Sequence, residues 1–113
     1  MLNRRLTDFV MPDVTWTGGI SELKKIGTLA ETFYIPLSPH DASGPVNLMA
    51  GAQVSITTPN FYRLEARRVT LDFYNAFLEE PIEVRGDALI VPARPGLGVR
   101  QNRAYLEAHE VEG

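Results

Sequence analysis

Three short strand-like runs, separated by two connections each just long enough for one helix, constrain this chain more than any other feature. The runs are Phe9-Val10-Met11, Tyr34 to Leu37, and Phe61-Tyr62-Arg63-Leu64-Glu65. In the first connection Ile20, Leu23, Ile26, Ala30 and Phe33 recur at three- and four-residue steps, the apolar stripe of an amphipathic helix. In the second, Pro45 suits a first helical position. From there to Ile56 the residues are apolar almost all round (Val46, Leu48, Met49, Ala50, Ala52, Val54), which predicts a helix buried on more than one side. Strand-helix-strand-helix-strand at this spacing implies parallel strands with right-handed crossovers, an α/β arrangement.

The flanks are less regular. Leu2 to Asp8 suits the last turns of a helix. Gly18-Gly19 permits tight or positive-φ backbone before the first long helix. Beyond Arg67-Arg68 the stretch Val69 to Leu78 is apolar but irregular. Ile82-Glu83-Val84 and Ala88 to Val91 flank Arg85-Gly86-Asp87 and predict a short antiparallel hairpin. Pro92 to Gly98 is a turn-rich loop. Asn102 to Val111 reads as a weak terminal helix with His109 facing solvent.

Composition narrows the class. The 113 residues suffice for one domain, and 44% hydrophobic with 22% charged content is that of a soluble globular chain. A net charge of -3 argues against nucleic-acid or anionic-membrane surfaces, so neither partner is expected. No apolar run approaches the roughly 20 residues that span a bilayer. Met1 to Arg5 carries charge without a following apolar stretch, so no signal peptide is expected. With no cysteine there is neither a disulfide nor a thiolate metal site. A cytoplasmic location is the expectation from these absences.

The chemistry-bearing residues sit where the three strands end. Asp13 closes the first, His40 follows the second in a Pro-flanked loop (Ser38-Pro39-His40), and Glu65 closes the third. Parallel sheets and barrels place their chemistry at the carboxyl ends of strands. Plainer readings stand beside this one: His40 or Asp13 as a turn-capping group, and Glu65 as a surface ion pair with Arg67 or Arg68 worth under about 1 kcal/mol. Trp16 and Tyr62 read as packing residues, and no phosphate-binding loop is present.

Met11-Pro12-Asp13, Gly18 to Glu22, Ile35 to His40, Pro59-Asn60-Phe61 with Glu65, and Arg94 to Val99, taken in order, resemble the C-terminal part of the enolase superfamily. The subgroup they look most like is that of mandelate racemase, which includes galactonate-dehydratase-like acid-sugar dehydratases. The resemblance implies residues 1–66 as the last three strands of a (β/α) TIM-type barrel. It makes residues 67–113 a tail returning towards a capping domain. It makes His40 the general acid/base, Asp13 its hydrogen-bonded partner, and Glu65 the group that bonds the substrate carboxylate as it becomes an enediolate.

By the same resemblance the parent is a magnesium-dependent lyase acting on a small carboxylate, a sugar acid, and is a homo-oligomer. A racemase, epimerase or cycloisomerase of the superfamily, or a non-catalytic α/β module, is the alternative. The family's three carboxylate metal ligands lie on earlier strands, so no metal ligand is expected in this chain. A complete barrel takes about 250 residues. The chain is therefore expected to be a fragment, inactive alone, with an open edge and an uncovered inner face that make it marginal or partner-dependent.

Overall fold

The computed structural model describes residues 2–111. Three extended segments, 10–13, 35–40 and 61–65, lie side by side with the second in the middle. Val10 pairs with Leu37, Asp13 with His40, and Leu37 with Phe61, all in parallel. The hydrogen bonds alternate across the middle segment: Val10 N donates to Pro36 O (3.0 Å) and Ser38 N to Val10 O (2.9 Å) on one side. On the other, Leu37 N donates to Asn60 O and Tyr62 N to Leu37 O, both at 2.8 Å. The pairing stays as single bridges rather than long ladders. Pro12, Pro36 and Pro39 have no N–H to donate, which interrupts a parallel ladder at those positions.

Helix α1 (Ile20–Glu31) and helix α2 (Pro45–Ser55) fill the two connections, close to the sequence expectation. Gly18 and Gly19, both at φ 100°, turn the chain into α1 through a backbone region that side chains disfavour. Gly27 lets α1 approach the middle segment closely: a Cβ there would lie 3.1 Å from Leu37 Cδ2 and 3.3 Å from Thr58 Cγ2. Pro45 takes the first helical position of α2.

Helix α2 is buried on two sides, as its apolar circumference predicts. Ala50 and Val54 pack with Val14, Leu23 and Leu37, while Leu48 and Met49 pack with Tyr74, Leu78 and Ile82. Leu97, from the turn-rich loop, touches both clusters.

Several expectations are corrected. Residues read as irregular form helix α3 (Arg68–Ala76), which buries Tyr74. Leu71, Tyr74 and Leu78 do carry a helical stripe, but the exposed Val69 and Phe73 blur it. The N-terminal helix is only a 3-10 turn at Leu2–Arg4. Tyr34 is not in a strand: at φ 56° and 90% exposed it forms the turn that follows α1. Trp16, read as a packing residue, is 83% exposed, whereas Tyr62, though partly exposed, does pack its ring on Phe9 at 4.9 Å.

The hairpin is present as β1 (Val84–Arg85) against β2 (Ala88–Leu89), with Val84 opposite Leu89. Helix α4 (Arg103–Ala108) starts at Asn102, whose side chain accepts from Tyr105 N at 3.1 Å. His109 is exposed and stacks on the Tyr105 ring at 4.1 Å. Phe9, Met11, Phe61 and Tyr62, on or beside the outer extended segments, are exposed apolar side chains. Among the described residues no helix is long and apolar enough to cross a membrane.

Candidate active site

The register of the extended segments builds the site. Asp13 and His40 are bridge partners, with His40 N donating to Pro12 O at 3.1 Å, so both side chains leave the sheet at the same level. Glu65 N donates to Pro39 O at 3.0 Å, which brings the third segment to that level too. The imidazole lies between two carboxylates. Its Nδ1 is 3.2 Å from Asp13 Oδ2 and its Nε2 is 3.5 Å from Glu65 Oε2. The second distance exceeds a made N–H···O bond, which leaves Nε2 open to another partner.

Asp13 serves two purposes at once. Its Oδ1 accepts from Thr15 N (2.8 Å) and Trp16 N (3.2 Å), so it does cap a turn. Its Oδ2 faces His40 and accepts from Asn47 Nδ2 at 3.1 Å. Burial pushes the Asp13 carboxyl up, but the His40 ring, the two backbone N–H groups and the Asn47 amide outweigh it and hold it below the usual range. A carboxylate that stays ionised beside Nδ1 fixes the imidazole tautomer and stabilises an imidazolium.

Glu65 does not form the surface ion pair. Arg68 turns instead to Asp87 and the Gly86 carbonyl, while Glu65 Oε2 faces His40 and, at 3.4 Å, Asp41 N.

Two residues escaped the sequence reading. Asp41 is 2% exposed, and Asn47 is buried on α2. The Asn47 amide donates to Asp13 Oδ2 (3.1 Å) and Asp41 Oδ1 (2.8 Å). Burial pushes the Asp41 carboxyl up against the Asn47 amide and the Tyr74 phenol, and the charges of Asp13 and Glu65 add to the rise. Asn47 is a polar side chain set among Val46, Leu48, Met49 and Ala50 in the first turns of a largely apolar helix, and that was the signal that could have found it.

Parallel segments joined by helices, with an imidazole between two carboxylates at their carboxyl ends, define a portion of a (β/α) barrel at its active-site rim. The chain belongs to the enolase C-terminal domain-like family, whose sequence profile matches residues 1–105. D-xylonate dehydratase of Haloferax volcanii is 35% identical over 113 residues, covering 100% of this chain and 27% of that protein. Arabinonate dehydratase of Saccharolobus solfataricus is 38% identical over 110 residues, covering 97% of this chain and 29% of its own length. The crystal structure of a mandelate racemase/muconate lactonizing enzyme-like protein from Roseovarius sp. TM1035 superposes with a TM-score of 0.89 at 28% identity, over 99% of this chain and 28% of that one. The chain thus spans under a third of the length of each of these relatives.

The family resemblance implies magnesium in the parent enzyme. Among the described residues no three His, Asp or Glu side chains are grouped to hold a metal ion. The described residues do not fit such a site.

Proposed function

We propose that this chain is the C-terminal barrel segment of an acid-sugar dehydratase, with residues 1–66 forming the rim strands and 67–113 the tail towards a capping domain. His40, Asp13 and Glu65 carry the chemistry. The observation that supports this most directly is the His40 ring standing 3.2 Å from one carboxylate and 3.5 Å from another. The dehydratase relatives favour a sugar acid as the substrate class.

With Nδ1–H directed at Asp13, the His40 Nε2 lone pair is available. It takes a proton from the carbon beside a substrate carboxylate, or, once protonated, hands one to the hydroxyl leaving the next carbon. Both transfers use the same atom, and Asp13 stabilises the cation in both. Glu65, when protonated, donates to the oxygen on which charge develops, a contribution worth about 3 kcal/mol for one well-placed donor. Loss of the proton and the neighbouring hydroxyl as water leaves an enol, which tautomerises to a 2-keto acid. In this reading any magnesium ligands belong to carboxylates other than those grouped here, and the assembled enzyme is a homo-oligomer.

The likeness to a mandelate racemase/muconate lactonizing enzyme-like protein favours a second reading, proton transfer without loss of water. Assaying the full-length parent on a panel of sugar acids separates the two. A 2-keto acid product, abolished by His40→Asn, is expected; dehydration retained in that variant removes His40 from its role, and epimerised substrate without keto acid selects the second reading.

A further inference from the structure

Helix α2 is apolar nearly all round and packed on two sides, yet it carries a buried amide near its start. Burying an amide is costly unless its hydrogen bonds are made. Here all four positions of the Asn47 amide are occupied. Its nitrogen donates to Asp13 Oδ2 at 3.1 Å and Asp41 Oδ1 at 2.8 Å. Its oxygen accepts from Thr15 N at 3.2 Å and Thr15 Oγ1 at 2.6 Å. The orientation is forced by chemistry: the reverse would set an amide oxygen against two carboxylates and an NH2 against the Thr15 N–H.

We propose that Asn47 is a positioning residue of the site, whose amide ties Asp13, Asp41 and Thr15 into one network and so fixes how Asp13 faces His40. The proposal rests on the reading of His40 and Asp13 as the proton-transfer pair. The network joins the loop after the first segment, the loop after the second, and α2. Through the Tyr74 phenol beside Asp41 it extends to α3. The tail helix is thereby linked to the catalytic imidazole by a chain of polar groups: Tyr74, Asp41, Asn47, Asp13, His40. Asp41, buried at 2% exposure, then has a purpose. It takes the second N–H that would otherwise be left unpaired in the core.

The test is carbon-detected NMR titration of the assigned Asp13 and Asp41 carboxyls in the wild-type protein and in Asn47→Ala. Each carboxylate loses one donor, so both midpoints are expected to rise by more than about 0.3 unit. A smaller rise in either one overturns the proposal. If Asn47→Ala does not fold, Asp41→Asn takes its place: it removes a neighbouring negative charge and leaves the Asn47 amide a neutral, weaker acceptor at position 41, so its donation shifts towards Asp13. The Asp13 midpoint is then expected to fall, and an unmoved Asp13 overturns the coupling. His40 and Glu65 on the rim, and Tyr74 and Arg67 from the side of α3, also face this network and are retained in both variants. The readout is titration rather than turnover. Its failure leaves the assignment of His40 standing, and failure of that assignment leaves the measured coupling intact.

Discussion

Asp13 and His40 are partners twice over: they are opposed as a parallel bridge pair, and their side chains meet with Asp13 Oδ2 3.2 Å from the imidazole Nδ1. Backbone register therefore sets the geometry of this imidazole–carboxylate pair directly, without a flexible loop in between. A pair held this way needs little reorganisation when the ring gains or loses a proton.

Asp13→Asn should keep this geometry while removing the charge that fixes the tautomer. On the proposed reading, sugar-acid dehydration by the full-length parent is expected to fall by roughly 10²- to 10⁴-fold, with an unchanged circular dichroism spectrum. A loss under about tenfold would show that the carboxylate is only a turn cap.

The two buried carboxyls pull stability in opposite directions with pH. Asp13 is held below its unfolded value of 3.8, so its contribution is present above that value and is lost as pH falls through the lowered folded pKa. Asp41 is raised above 3.8, so folding is favoured while it stays protonated, and that contribution is lost as pH rises from 3.8 through its folded pKa. In the wild type the two opposing slopes partly cancel where these ranges meet. Urea unfolding of Asp41→Asn across pH 3 to 6 is expected to show stability rising more steeply with pH than in the wild type. Parallel curves would contradict it.

Tyr74→Phe keeps the ring that packs with Leu48, Met49 and Leu78 and removes the phenol beside Asp41. A stability loss of about 1 kcal/mol is expected once the pH is high enough to ionise Asp41, whose carboxylate then lacks the phenol partner. Below pH 3.8, where a carboxyl raised above that value is protonated, the difference from wild type should shrink. A loss independent of pH would mean that the phenol serves packing alone.

Gly27→Ala is a better helix former by about 1 kcal/mol on propensity. Its Cβ would nonetheless meet Leu37 Cδ2 at 3.1 Å, and Leu37 is fully buried in the first core cluster. Overpacking of about 1–3 kcal/mol is expected to win, lowering the melting temperature. Adding Leu37→Val should return part of the loss, a favourable coupling between the two sites that a double-mutant cycle reads directly.

Much of the frame was legible in the sequence because its signals were local. The stripe Ile20-Leu23-Ile26-Ala30 and the Pro45 start gave α1 and α2, and the strand-end positions of Asp13, His40 and Glu65 follow from where the apolar runs stop. Helix α3 was hidden because Val69 and Phe73 put apolar residues on its exposed face, so the stripe through Leu71 and Tyr74 had no polar contrast. Asp41 and Asn47 were hidden for a different reason. Their partners lie on other elements, Asn47 and Asp13 being 34 positions apart, and no spacing rule along one chain reports a bond of that kind. The exposure of Trp16 likewise depends on Asp13 holding its backbone N–H in a turn, not on the hydrophobicity of the indole.

Leu97 touches both core clusters, and α2 stands between them. Breathing of the tail away from α2 would therefore wet Leu48 and Met49 and loosen the seat of Asn47 in the same event. Amides of α2, of the rim segments and of α3 should accordingly exchange with deuterium at one common rate-limiting opening, as a single foldon.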